Sequence, residues 1–92
     1  MSKYQLTDFA SVELARMHPD DQSIVVRVLD ILGEDRHLRD SSKFDLYLPP
    51  EQGRTTWGLR MGMVWVAFIE EDDSGLSVIH LTMLSRFRYN YD

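Results

Sequence analysis

The sequence predicts an α+β domain in which an N-terminal helical hairpin packs on one face of an antiparallel sheet of three or four strands. Two observations carry this. Apolar residues up to Leu32 recur at helical spacing, and from Thr55 onward the period changes to two. The length supplies a third: a chain of 92 residues buries roughly two thirds of its unfolded surface and holds one core, so a single domain over 1–92 is expected.

The first element is a short extended piece at Lys3 to Leu6. A helix follows, beginning near Thr7 or Asp8, either of which can accept backbone N–H bonds as a cap. Phe9, Val12 and Ala15, with Leu14 on the flank, form its expected apolar face. His18, Pro19, Asp20 and Asp21 close that helix and open the next, because proline is tolerated in a first turn and carboxylates complement the positive helix end. Ile24, Val25, Val28, Leu29 and Leu32 make one continuous stripe, and Gly33 is expected to end it in a left-handed conformation.

Residues 34–43 are charged and polar and read as a loop marked by Ser41 and Ser42, as does the stretch Pro49 to Gly53. Between them Phe44 to Leu48 alternates as a strand. Trp57, Leu59 and Met61 share one face of the next strand. Val64, Val66 and Phe68 oppose Met63, Trp65 and Ala67, apolar on both faces as in a central strand. Gly62 makes the turn between the two strands, where a positive φ suits a residue without Cβ. In the last strand Leu76, Val78, His80 and Thr82 alternate against Ile79, Leu81 and Met83.

Composition excludes several classes. With Cys 0 there is no disulfide framework and no thiolate metal site, and His18, His37 and His80 are too scattered to suggest a zinc cluster, so no metal and no cofactor are expected. No apolar run approaches the roughly 20 residues that span a bilayer, and the first residues lack a signal core, which points to a cytoplasmic protein without membrane association. A net charge of -5 argues against indiscriminate coating of nucleic acid, whose affinity comes from Lys and Arg neutralising phosphates. The charge is unevenly spread. Acidic residues gather at Asp20–Asp21, Glu34–Asp35 and Glu70 to Asp73, the last read as a solvated hairpin tip, whereas residues 74–91 contain Arg86 and Arg88 and no carboxylate.

The element order, with Lys43 and Phe44 before a strand ending Leu59, Arg60, Met61, Gly62, then Val64 to Phe68, then Ile79 to Arg86, resembles the RelE/ParE superfamily of toxins from type II toxin-antitoxin modules. Trp57, Leu59, Arg60, Gly62 and Phe68 match the first half of the pattern. Ile79, Leu81, Met83, Arg86 and Tyr89 or Tyr91 match the second. The resemblance implies growth inhibition, either by ribosome-dependent cleavage of mRNA or, as in ParE-like toxins, by poisoning DNA gyrase; a domain keeping the fold only to bind a partner protein is the third reading. It also implies an antitoxin partner whose C-terminal segment wraps the toxin.

For the endoribonuclease reading the resemblance places Arg60, Arg86, Tyr89 and Tyr91 in catalysis and Lys43, Arg88 and Trp65 in substrate binding. Guanidinium groups suit that chemistry because phosphodiester cleavage builds negative charge on phosphorus. Trp65 is a departure, since the family has an arginine three residues after the turn glycine. Each residue has a simpler role open to it. Trp65 is a core or packing aromatic, Arg60 a partner of Asp45 or Glu70, and His80 a structural histidine or a proton-transfer group. Arg86 and Arg88 alternate with Phe87 and Tyr89, so on an extended chain both project to one side.

Overall fold

The computed structural model describes residues 4–50, 53–71 and 75–84. Three helices and a five-stranded mixed sheet follow in the order β1 (Tyr4–Leu6), α1 (Asp8–Ala15), α2 (Pro19–Glu34), α3 (Arg36–Ser42), β2 (Phe44–Asp45), β3 (Trp57–Met61), β4 (Val64–Glu70) and β5 (Leu76–Met83). The sheet order is β1-β5-β4-β3-β2. The α+β class and the central place of β4 agree with the sequence; the sheet is larger than expected and not wholly antiparallel, because β1 joins β5 in parallel, Tyr4 opposite Leu76.

Val25, Val28, Leu29 and Leu32 of α2 pack with Leu59, Val64, Val66, Phe68, Leu76, Val78, Leu81 and Met83 in one core. Fully burying aliphatic and aromatic side chains contributes about 1.5–3 kcal/mol each, which makes this layer the principal source of stability. Ile24, expected in the stripe, lies on its exposed flank.

The helix α1 turns a different face inward from the one expected. Phe9 and Val12 are exposed, Phe9 to 61%, while Ala10 is buried and Leu14 and Met17 pack against the core. Apolar residues lie all round this short helix, so periodicity could not choose the face, and the position of the sheet chooses it. Thr7 caps the helix by accepting from the Ala10 N–H.

Pro19 stands in the first turn of α2, with the His18 side chain accepting from the Asp20 N–H. The helix then runs through Gly33, which is buried and helical, to Glu34. Asp35 closes it and at once caps α3, its carboxylate accepting from the Leu38 N–H at 3.0 Å. Residues read as a loop are therefore helical, because one side chain restarts what the glycine was expected to end.

Strand β2 is only two residues long. At Tyr47 the chain takes φ 56, and the Asp45 carboxylate accepts the Tyr47 N–H at 2.7 Å. The turn between β3 and β4 uses Gly62 at φ +60 with open space around it, as the sequence predicts.

Strand β5 carries the main correction. Ala67 faces His80 but Phe68 faces Val78, so the ladder shifts register there and β5 holds one extra residue, a β-bulge. The bulge reverses parity. Leu76 and Val78 share the core face with Leu81 and Met83, and His80 and Thr82 go to the other face.

Candidate functional site

Residues directly opposite one another in an antiparallel ladder point to the same side. Arg60 faces Trp65, and Trp65 faces Thr82. The three lie in a row on the sheet face away from α2, and Ala67 and His80 form the adjoining row. Across two strand spacings the row from Arg60 to Thr82 spans about 10 Å.

His80 is the most constrained polar group on this face. Its Nδ1 lies 2.8 Å from the Glu13 carboxylate, and its Nε2 lies 3.1 Å from the Thr82 hydroxyl. Phe9 stacks on the ring at 5.7 Å with a 20° interplanar angle, and Trp65 meets it edge-on at 5.8 Å. The Glu13 carboxylate is held in turn, accepting the Leu81 N–H at 2.9 Å. Strand β1 stops where Thr7 donates to the Val78 carbonyl, so Glu13 of α1 takes the edge N–H that a longer β1 would have met. The side chain of His80 is 39% exposed and that of Glu13 19%. Carboxylate, imidazole and hydroxyl thus stand in line at an accessible surface.

Lys43 occupies the opposite face. Its Nζ lies 2.6 Å from Glu70 and 3.0 Å from Asp40, and 4.5 Å above the Trp57 ring. Burial opposes the charge on Lys43, but the hydrogen bonds to Glu70 and Asp40 outweigh it and raise its pKa above 10.5. The hydrogen bond from Lys43 holds the Asp40 carboxyl below its usual 3.8. Beside them Arg39, 1% exposed, bonds Glu70 at 3.0 Å and the Leu32 carbonyl at 3.1 Å. Glu70 is therefore a clamp between α3 and β4, and Glu71 pairs with Arg54. For Glu70 and Glu71 this corrects the reading of the acidic run as a solvated tip: β4 extends to Glu70, and buried or half-buried cations draw both carboxylates inward; Asp72 and Asp73 lie outside the described residues.

Arg60 pairs with neither Asp45 nor Glu70. Its Nε donates to the Gly62 carbonyl at 2.9 Å, which fastens the exposed side chain across the turn. Arg86, Arg88, Tyr89 and Tyr91 lie outside the described residues. The structure thus brings Arg60 and Trp65 together, sets Lys43 on the other side of the sheet, and adds Glu13, His80 and Thr82. Glu13 had a signal in the sequence: a carboxylate beside Ala10 and Leu14 on a helix flank needs a partner when it packs.

Neither the known protein-family models nor the curated proteins give a match to this sequence. Among solved structures, a chain of the archaeal RelE-RelB complex from Pyrococcus horikoshii OT3 is similar, with a TM-score of 0.63 and 13% identity over 94% of this chain and 99% of that one. The fold is RelE-like. On this RelE-like sheet Trp65 stands three residues after Gly62, between Arg60 and Thr82, where the resemblance anticipates an arginine. Among the described residues of the RelE-like chain no three His, Cys, Asp or Glu side chains gather as a metal site, and no helix is long and apolar enough to cross a membrane.

Proposed function

We propose that this chain, as a single domain over residues 1–92, is the toxin of a type II toxin-antitoxin module and inhibits growth by cleaving mRNA on the ribosome. The observation that carries the reading is the RelE-like fold over 94% of the chain. Its antitoxin partner follows by analogy with the RelE-RelB complex.

In the proposed reaction a ribose 2′-hydroxyl attacks the neighbouring phosphorus and the bond to the 5′-oxygen breaks. Arg60 and Arg86 stabilise the charge that builds on the phosphoryl oxygens. Tyr89 or Tyr91 gives a proton to the leaving oxygen, and Arg88 and Trp65 hold the strand, Trp65 by stacking on a base. Lys43, tied to Glu70 and Asp40, serves the domain more than the substrate.

That engagement of Lys43 favours a second reading, a ParE-like poison of gyrase or a partner-binding module, because it leaves fewer cations for phosphate. Exposed Phe9, Phe44 and Tyr47 suit such protein contacts. Induced expression tests the two. The first reading expects growth arrest with cleaved messages, relieved by Arg60→Ala, whose cleavage rate falls about 100-fold. Arrest with intact message and inhibited supercoiling selects the second.

A further inference from the structure

We infer that His80 is the general base of this site, with Glu13 as its positioning residue. The inference rests on the ribonuclease reading above and names a group that reading lacks: the acceptor of the 2′-hydroxyl proton.

The argument begins with the tautomer. Glu13 accepts at 2.8 Å from Nδ1, so in the neutral ring the proton resides on Nδ1 and Nε2 presents its lone pair. That lone pair meets the Thr82 hydroxyl at 3.1 Å, a distance within the reach of a general base from the proton it takes. Glu13 is itself fixed by the Leu81 N–H, and the ring is held between Phe9 and Trp65. Imidazole, orienter and ring plane are thus set before any substrate arrives.

Two further features make this a site rather than a core network. The imidazole edge reaches the surface, with 39% of the side chain exposed. Arg60 and Trp65 share its face of the sheet, so a strand laid across Trp65 puts a phosphate between a guanidinium and an imidazole. Thr82 marks where the substrate hydroxyl goes and is displaced by it. The ribose 2′-hydroxyl then gives its proton to Nε2 as its oxygen bonds to phosphorus, and the bond to the 5′-oxygen breaks. That oxygen takes the proton supplied to it in the ribonuclease reading above, leaving a cyclic 2′,3′-phosphate and a 5′-hydroxyl. The carboxylate of Glu13 stabilises the imidazolium that forms.

Single-turnover cleavage of a defined message on ribosomes, with the full-length protein, tests the assignment. His80→Ala should lower the rate about 100-fold at saturating protein while the concentration for half-saturation moves less than about 3-fold. Added imidazole should restore a substantial part of that loss, which a merely structural histidine would not allow. Glu13→Gln should lower the rate about 10-fold. Wild-type cleavage by His80→Ala, or a loss that imidazole does not relieve in a variant with an unchanged unfolding midpoint, overturns the base while leaving the ribonuclease intact. Abolition by Thr82→Val with cleavage of a 2′-deoxy site overturns it in favour of a threonine nucleophile. Absence of cleavage by the wild-type protein overturns the ribonuclease reading and this inference with it.

Discussion

At the scale of single residues, Gly62 and Gly58 have opposite reasons for being glycine. Gly62 has φ +60 and nothing within 4 Å of a notional Cβ, so Gly62→Ala strains only the backbone and should cost about 1–2 kcal/mol. At Gly58 an added Cβ would lie 2.7 Å from Leu46 Cδ2 and 2.8 Å from Phe44 Cζ. Those are side-chain ends, and Phe44 is exposed enough to swing away, so Gly58→Ala should cost about 1 kcal/mol and displace the Phe44 ring. Denaturant titration of both variants, with Phe44 ring resonances followed by NMR, checks the pair. Equal stability losses with an unmoved ring would contradict the distinction. Only the first role was legible in sequence, because a turn glycine announces itself by its neighbours while a glycine under a folded-back loop depends on contacts made much later in the fold.

Among the elements, α2 was readable from one dominant helical period, and β4 from a short run apolar on both faces that follows a turn glycine. The helix α3 and the bulge in β5 were not. A serine-containing polar stretch reads as a loop unless a cap such as Asp35 is seen to restart the helix, and an extra strand residue leaves no mark on composition while inverting every side chain after it. His80 and Thr82 owe their place beside Trp65 to that inversion, so the candidate site was obscured along with the register. The clamp joining α3 to β4 permits a sharp test. Glu70→Ala removes the carboxylate that Arg39, 1% exposed, and Lys43 both bond. Stability should fall by about 2–4 kcal/mol, since removing one partner of a buried ion pair is strongly destabilising. A chemical-denaturation midpoint within error of wild type would show that the clamp is dispensable.

For the whole molecule, the same cluster sets the response to pH. The folded pKa of Lys43 is raised, so its contribution is complete at neutral pH and is lost as pH rises through the folded value above 10.5. The folded pKa of Asp40 is lowered, so its contribution holds above the ordinary 3.8 and disappears as pH falls through the folded value. The stability difference between wild type and Lys43→Met should therefore be flat from about pH 5 to 9 and shrink toward both extremes. Equilibrium unfolding across that range measures it, and a difference varying steadily through neutrality would place the linkage elsewhere. The pairing of β1 with β5 has a consequence for how the protein is made. Tyr4 to Leu6 find their partners at Leu76 to Val78, and Glu13 finds His80, so β1 and α1 wait for a strand that is synthesised after β2, β3 and β4. A nascent chain that lacks β5 can neither close this sheet nor hold the imidazole against Glu13, so both form late in folding.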